Sequence, residues 1–355
     1  MNREVVTTES AHLQRPWRTQ SPRRIFLAFA PTLIPIICAS IVVKSTGFDG
    51  KLGFVLPWFV FSIITVLLWP LALRQPAIRG DLFMQSAVVF AGGIFMGAVL
   101  WLLQSVFTPG LRAFRASLLL RDSETVGVDT PLNQGGLLHA ILGTLIIVGL
   151  ATLISVPFGI LAALYITEVR GKLVPYTRFF IQAMSGVPSI VAGLFIYAAL
   201  IVSKVLPFTG LTGSLALAIL MLPTVARTAE EVIRLVPDEL RYASLALGGT
   251  QMRTVLQVVL PSARTGLITA TILGIARVAG ETAPLLLTAF GSNSTNLNPF
   301  SGTMATLPWY IFTQMQFGTE NDTARAWVAA LVLLALVSIF FILARTLGRS
   351  PAGRR

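Results

Sequence analysis

Residues Ala140 to Thr167 read AILGTLIIVGLATLISVPFGILAALYIT, 28 positions without one Asp, Glu, Lys or Arg. Wound as a helix at about 1.5 Å per residue, the stretch is longer than the ~30 Å hydrocarbon core of a bilayer and can cross it. Similar runs lie on both sides: Ile25 to Val43, Leu52 to Leu73, Leu82 to Val106, Phe179 to Ser203, Leu211 to Ala226, Thr265 to Phe290 and Ala326 to Ala344. The Leu211 run reaches spanning length only by starting near Val205 or by continuing past Arg227. The expected fold is an all-α polytopic membrane protein of about eight transmembrane helices.

Composition agrees with this reading. Of 355 residues, 54% are hydrophobic and 12% charged, about half the charge of an ordinary soluble domain. A soluble globular chain is excluded, and so is a disordered one, which needs low hydrophobicity with high charge. The net charge of +12 is read as topogenic, with no nucleic-acid partner, because the basic residues sit between the apolar runs. With the N-terminus inside, inner segments hold 19 Lys and Arg and outer segments 7, and Arg277 lies within a run. That bias predicts a multi-pass plasma-membrane protein with both termini cytoplasmic.

The first 24 residues carry five Arg, too long and mixed for a signal-peptide n-region, so the first apolar run is expected to be a retained anchor. Cys38 is the only cysteine, so neither an intramolecular disulfide nor a cysteine-based metal site can form. His12 and His139 have no second ligand group nearby in sequence, and no metal site is expected.

The inner stretch from Arg227 to Arg264 alternates charged with apolar residues. Pro237 ends one helix, Asp238 and Glu239 suit the start of another, and Gly248-Gly249 offers a left-handed exit. Such a short helix, with Leu240, Ala243, Leu245, Ala246 and Leu247 as its apolar surface, has two readings: it rests on lipid headgroups, or it docks into a partner.

The same residues carry a resemblance. Tyr242-Ala243-Ser244, three residues, Gly248, nine residues, then Val258-Val259-Leu260-Pro261 resemble the EAA loop of ABC-importer permeases. Tyr242 stands where the family usually has Glu, and Val258 where it has Ile. Ser185-Gly186-Val187-Pro188-Ser189-Ile190-Val191-Ala192-Gly193-Leu194 and Gly280-Glu281-Thr282-Ala283-Pro284-Leu285-Leu286 resemble the phosphate-specific members, the second segment the PstA type of subunit rather than the PstC type.

The resemblance implies a five-helix permease core over 139–346, with a cytoplasmic coupling helix near 238–250. Ahead of the core would lie a cytoplasmic segment over 1–24 and three accessory helices with an outer loop over 25–138; a basic cytoplasmic tail would follow over 347–355. It also implies the partners: a second phosphate permease chain of the PstC type, two copies of a PstB-type ATPase that bind ATP and Mg, and an extracytoplasmic PstS-type phosphate-binding protein. Tyr242, Ala243, Ser244, Gly248, Leu260 and Pro261 would make the ATPase contact.

Arg277 and Glu281 fall inside an apolar run, four residues apart, and on one continuous helix they would share a face and pair. Charged groups at mid-bilayer cost about 2.5 to 3.5 kcal/mol each, so they are directed at protein or water. Two readings stand: an ion pair that fixes packing, or a guanidinium fork that meets an oxyanion while Glu281 balances it. Ser185 and Ser189 flank a Gly-Val-Pro sequence, read as a helix break beside a water-lined cavity or as small-residue packing. Thr282 is placed with them along the substrate pathway. Arg227 marks the cytoplasmic exit or anchors its helix. Arg227 with Glu231 and Glu230 with Arg234 are expected as i,i+4 pairs.

No Gly-x-x-x-x-Gly-Lys-[Ser/Thr] sequence occurs, so this chain is expected to be non-catalytic and to bind no cofactor itself. The expected function is a phosphate-importer permease subunit working by alternating access. Alternatives are an importer for molybdate or sulfate, a scaffold that signals phosphate supply, and a channel or ion-coupled carrier.

Overall fold

The computed structural model describes residues 22–46, 51–72, 76–169 and 171–348. Most of the N-terminal segment and all but the start of the basic tail lie outside them. Among the described residues regular structure is helical throughout, apart from a single bridge between Phe290 and Met304. In chain order the helices are α1 (Pro22–Thr46), α2 (Lys51–Ala72), α3 (Pro76–Ala113), α4 (Leu138–Leu164), α5 (Val174–Ser185), α6 (Ser189–Ile196), α7 (Gly210–Arg234) and α8 (Asp238–Ala246). They continue with α9 (Gln251–Thr254), α10 (Leu260–Ala279), α11 (Ala283–Thr288), α12 (Leu307–Phe317) and α13 (Glu320–Gly348). Wider π turns extend α4 over Tyr165–Val169 and α6 over Tyr197–Val202, and join α9 to α10 over Val255–Val259.

Five stretches are long and apolar enough to cross a membrane: Phe90–Ala113, Leu138–Val169, Gly210–Arg234, Gln251–Ala279 and Glu320–Leu343. The pair Val174–Ser185 and Ser189–Val202, bent by 105°, makes a sixth if it is one span. The apolar stretches Leu33–Ser45 and Phe54–Thr65 are shorter.

Three expected spans take a different form. The Phe179 run is broken where Gly186, Val187 and Pro188 separate α5 from α6, because Pro188 cannot donate into a continuing helix and disfavours helical backbone at Val187. The Leu211 run continues to Arg234. The Thr265 run begins at Gln251 and stops at Ala279, since Gly280 caps it and the ring of Pro284 forces a restart as α11.

The chain forms two compact units, Met1–Gln104 and Ser105–Arg355. In the first, α1 packs on α2, and Trp58 and Phe59 of α2 meet the ring of Phe90 in α3 at 6.3 and 6.4 Å.

The second unit is built around α4 and α7 packed along each other. Ile147, Val148 and Ala151 of α4 interlock with Leu217, Leu220, Met221 and Val225 of α7, and Val278 and Leu285 close the cluster. Small residues allow this closeness: a Cβ on Gly159 would meet the Val225 side chain at 3.0 Å, and Ser155 Oγ donates to the Ala218 carbonyl at 3.2 Å. Residues 114–137 pack against α12 and α13 through Leu118, Leu137, Leu307, Tyr310 and Val328. The expected polar link from Gly291 to Asp322 is thus ordered and partly buried, holding α12 and ending inside α13.

Candidate functional site

The two broken spans meet. Gly193, one turn into α6, lies against Pro284 of α11 so closely that a Cβ would stand 2.6 Å from the proline Cα. The Ser185 to Ser189 and Gly280 to Ala283 interruptions thereby fall in one region of the fold. Ser185 Oγ donates to the Ile181 carbonyl at 2.9 Å, and Ser189 begins α6 half-buried. Thr282 precedes α11, its carbonyl accepting from the amides of Leu285 and Leu286 at 3.1 and 3.2 Å.

Arg277 and Glu281 do not form the expected pair. Because α10 ends at Ala279, Glu281 lies in the unwound link, half-buried, with its amide bonded to the Val278 carbonyl at 3.2 Å. The exposed Arg277 guanidinium instead donates through Nη1 to Thr224 Oγ1 at 2.8 Å. Thr224 follows Pro223 inside α7. Sequence spacing could not single it out, since an isolated Thr in an apolar run carries no signal before its neighbour is known.

Arg227, one turn further along α7, faces a cleft of about 440 Å³ together with Arg178, Gln182, Glu230, Glu231 and Arg234. Of the two expected i,i+4 pairs, Arg234 with Glu230 is present at 2.6 Å. Glu230 also takes Arg178 of α5 at 3.0 Å, whereas no ion pair joins Arg227 to Glu231. Going along α7, a polar face runs from Thr224 with its Arg277 partner to the arginines of this cleft.

The loop after α7 follows the sequence reading closely. Pro237 caps α8, Asp238 and Glu239 occupy its first turn, and Gly248 turns the chain with φ of +82°. The Gly249 amide then donates to the Ser244 carbonyl at 3.0 Å, and Ser244 Oγ meets Thr254 Oγ1 at 2.8 Å. Leu240, Tyr242, Leu245 and Leu247 are exposed, as are Met252 and Leu256 beyond the turn. Ala243 is exposed beside them, and Leu260 packs into the cluster of Ala229, Ile233, Val259 and Ala263 beneath, with Pro261 in the first turn of α10.

One residue of this loop turns inward. Arg241 binds Glu168 of the π turn after α4 at 2.8 Å and Asp238 at 3.0 Å. It also donates to the Ile233 carbonyl at 3.0 Å and to that of Val236. The hydrogen bond to Glu168 raises the Arg241 pKa above its ordinary value, against the opposing effect of burial. Both residues passed as ordinary boundary charges in the sequence, where 73 positions separate them.

Sequence comparison places these features in a known group. Residues 155–352 match the family described as binding-protein-dependent transport system inner membrane component. The phosphate transport system permease protein PstA 1 of Mycobacterium tuberculosis (strain CDC 1551 / Oshkosh) is 38% identical over 273 residues, 76% of this chain and 90% of its own length. PstA of Yersinia pestis is 38% identical over 278 residues, 78% of this chain and 91% of its own. A solved inward-facing structure of the MetNI methionine ABC transporter aligns with a TM-score of 0.46 at 20% identity, covering 60% of this chain and 93% of that one. On the extent of the sequence match, this chain belongs to the binding-protein-dependent transport system inner membrane components.

Proposed function

We propose that the chain is the membrane-spanning permease subunit of an ATP-driven importer that carries inorganic phosphate into the cytoplasm. The observation that carries this reading is the Arg277 guanidinium, which shares a contact with a threonine hydroxyl and has no carboxylate partner. A permanently charged planar fork free of a carboxylate suits an oxyanion whose charge persists at neutral pH. The names of the relatives, phosphate transport permeases at 38% identity, support phosphate over molybdate or sulfate.

In this reading Arg277, Thr224, Glu281 and Thr282 line the pathway with Ser185 and Ser189, and Arg227 stands toward its cytoplasmic end. The core spans 139–346 and the three preceding helices are accessory. A second permease chain completes the pathway, an extracytoplasmic binding protein delivers phosphate, and two ATPase subunits hold ATP and Mg in the cytoplasm. The exposed apolar rim of Leu240, Tyr242, Leu245 and Leu247, with Ala243, Ser244 and Gly248, meets an ATPase. Its displacement on ATP binding reorients the spans, giving alternating access in a bacterial plasma membrane with both termini cytoplasmic.

The test is uptake of radiolabelled phosphate by the complex in proteoliposomes. Uptake is expected to depend on ATP and on the binding protein and to vanish in Arg277→Gln with assembly intact. Uptake in that variant equal to the parent would overturn the reading.

A further inference from the structure

We propose that Arg241 and Glu168 are a positioning pair that makes the 238–250 loop and the cytoplasmic end of α4 move as one body, an inference that rests on the coupling role given to that loop above.

The argument begins with a donor count. A guanidinium has five N–H groups in a fixed planar fork, and here every nitrogen is engaged. Nε and Nη2 hold the Glu168 carboxylate, with Nη2 to Oε1 at 2.8 Å. Nη1 donates to Asp238 Oδ1 at 3.0 Å and to the Val236 carbonyl, and Nη2 also donates to the Ile233 carbonyl at 3.0 Å. The last carbonyls of a helix have no partner within it. Arg241 therefore caps the end of α7 while it binds its own helix α8 and the end of α4.

Burial shows which way the residue works. The Arg241 side chain is 13% exposed and that of Glu168 9%, whereas Tyr242, next in the chain, is 68% exposed. The Arg241 side chain is therefore spent inside this subunit, and the face offered outward is the apolar one beside it.

Beyond the Gly248 turn a second link reaches the same target. Gln251 Nε2 donates to the Glu168 backbone carbonyl at 2.6 Å. Glu168 is thus held by its side chain from one arm of the loop and by its backbone from the other. Helix α7 follows the loop through the short covalent connection 235–237, but α4 has none. These polar links supply one, and a lysine could not, because a single ammonium cannot reach the carboxylate and both carbonyls at once.

The experiment uses the complex with its ATPase and binding protein, carrying Cys38→Ser as the parent. Glu168→Cys with Arg241→Cys is added, and phosphate uptake per ATP hydrolysed is measured before and after a short bismaleimide bridges the two cysteines. Without the bridge the ratio should fall by about tenfold or more while hydrolysis continues, and bridging should bring it back toward the parent, since loss of a buried pair's tie is what the bridge replaces. An unbridged variant that matches the parent overturns the proposal. A fully bridged variant that stays uncoupled also overturns it, because Arg241 would then act elsewhere.

If the double variant fails to assemble, Arg241→Lys is read in the same way, and a parent-like ratio overturns the proposal. A parent complex without phosphate uptake would strike the phosphate reading and leave the pair to be judged by hydrogen exchange. Exchange at 160–169 should then be faster in Arg241→Lys than in the parent, and equal exchange overturns the proposal.

Discussion

Gly193 of α6 and Pro284 of α11 touch backbone to backbone: a Cβ on the glycine would lie 2.6 Å from the proline Cα and 3.1 Å from its carbonyl oxygen. This contact joins two spans that are each interrupted. Neither side can give way by turning a side chain, so added volume must separate the helices. Gly193→Ala should lower the thermal stability of the complex, and Gly193→Leu should cost about 1–3 kcal/mol by overpacking and abolish uptake. A Leu variant with parent-like melting and uptake would show that the two breaks are not mechanically joined.

Arg277 is expected to tolerate no other cation. Arg277→Lys keeps the charge but replaces a planar fork with a point donor, so phosphate uptake should fall in an assembled complex. Thr224→Val, which removes the hydroxyl that holds the guanidinium at 2.8 Å, should weaken uptake less, because the fork itself remains. Uptake by Arg277→Lys equal to the parent would mean that charge alone suffices.

At Gly248 the effect of substitution can be read as backbone strain alone, since a Cβ there would meet nothing within 4 Å and the residue has φ of +82°. Left-handed backbone costs an L-residue about 1–2 kcal/mol and is easiest for Asn. Retention of the ATPase in detergent should therefore decline in the order Gly, Asn, Ala, Val at this position. Retention that is the same for Gly and Val would sever the turn from coupling.

Far from the loop, Asp322 and Arg325 are 1% and 0% exposed and paired at 3.3 Å. Arg325 also donates to the carbonyls of Pro131 and Gln134 at 2.9 and 3.0 Å, and Asp322 accepts from the Asp129 amide at 3.1 Å. The pair pins residues 129–134 to α13. Asp322→Ala should cost about 3–5 kcal/mol by stranding a buried cation, seen as a lower melting temperature and faster proteolysis within 121–136. Asp322→Leu with Arg325→Leu should cost less than the sum of the single changes.

How much of this the sequence disclosed depended on the range of the forces involved. The 238–250 turn was legible because Pro237, Asp238 and Gly248 act on their own backbone, and the structure has α8 and the left-handed glycine where they were expected. The break at Ser185 to Ser189 was legible for the same reason. Arg277 with Glu281 misled because four-residue spacing means a shared face only on an unbroken helix, and Gly280 with Pro284 ends it. Arg325, counted as an outer charge that orients the chain, is buried inside α13 by partners about 190 residues away. Thr224, Glu168 and Arg241 likewise owe their surroundings to contacts between distant segments, which no local pattern announces.

The π turn at Tyr165–Val169 also sets an angle. Above it, α4 presents Ile147, Ala151 and Ser155 to α7; below it, the chain must aim Glu168 at Arg241. A regular helix advances about 100° per residue, and a π turn accommodates one residue more than the helix it interrupts. Deleting a single residue there would let the turn relax to ordinary pitch without loosening the packing above it, yet it would swing whatever follows about a quarter of the way round the axis. The membrane face and the cytoplasmic end of α4 are thus keyed to different azimuths, and one extra residue lets the same rod answer to both.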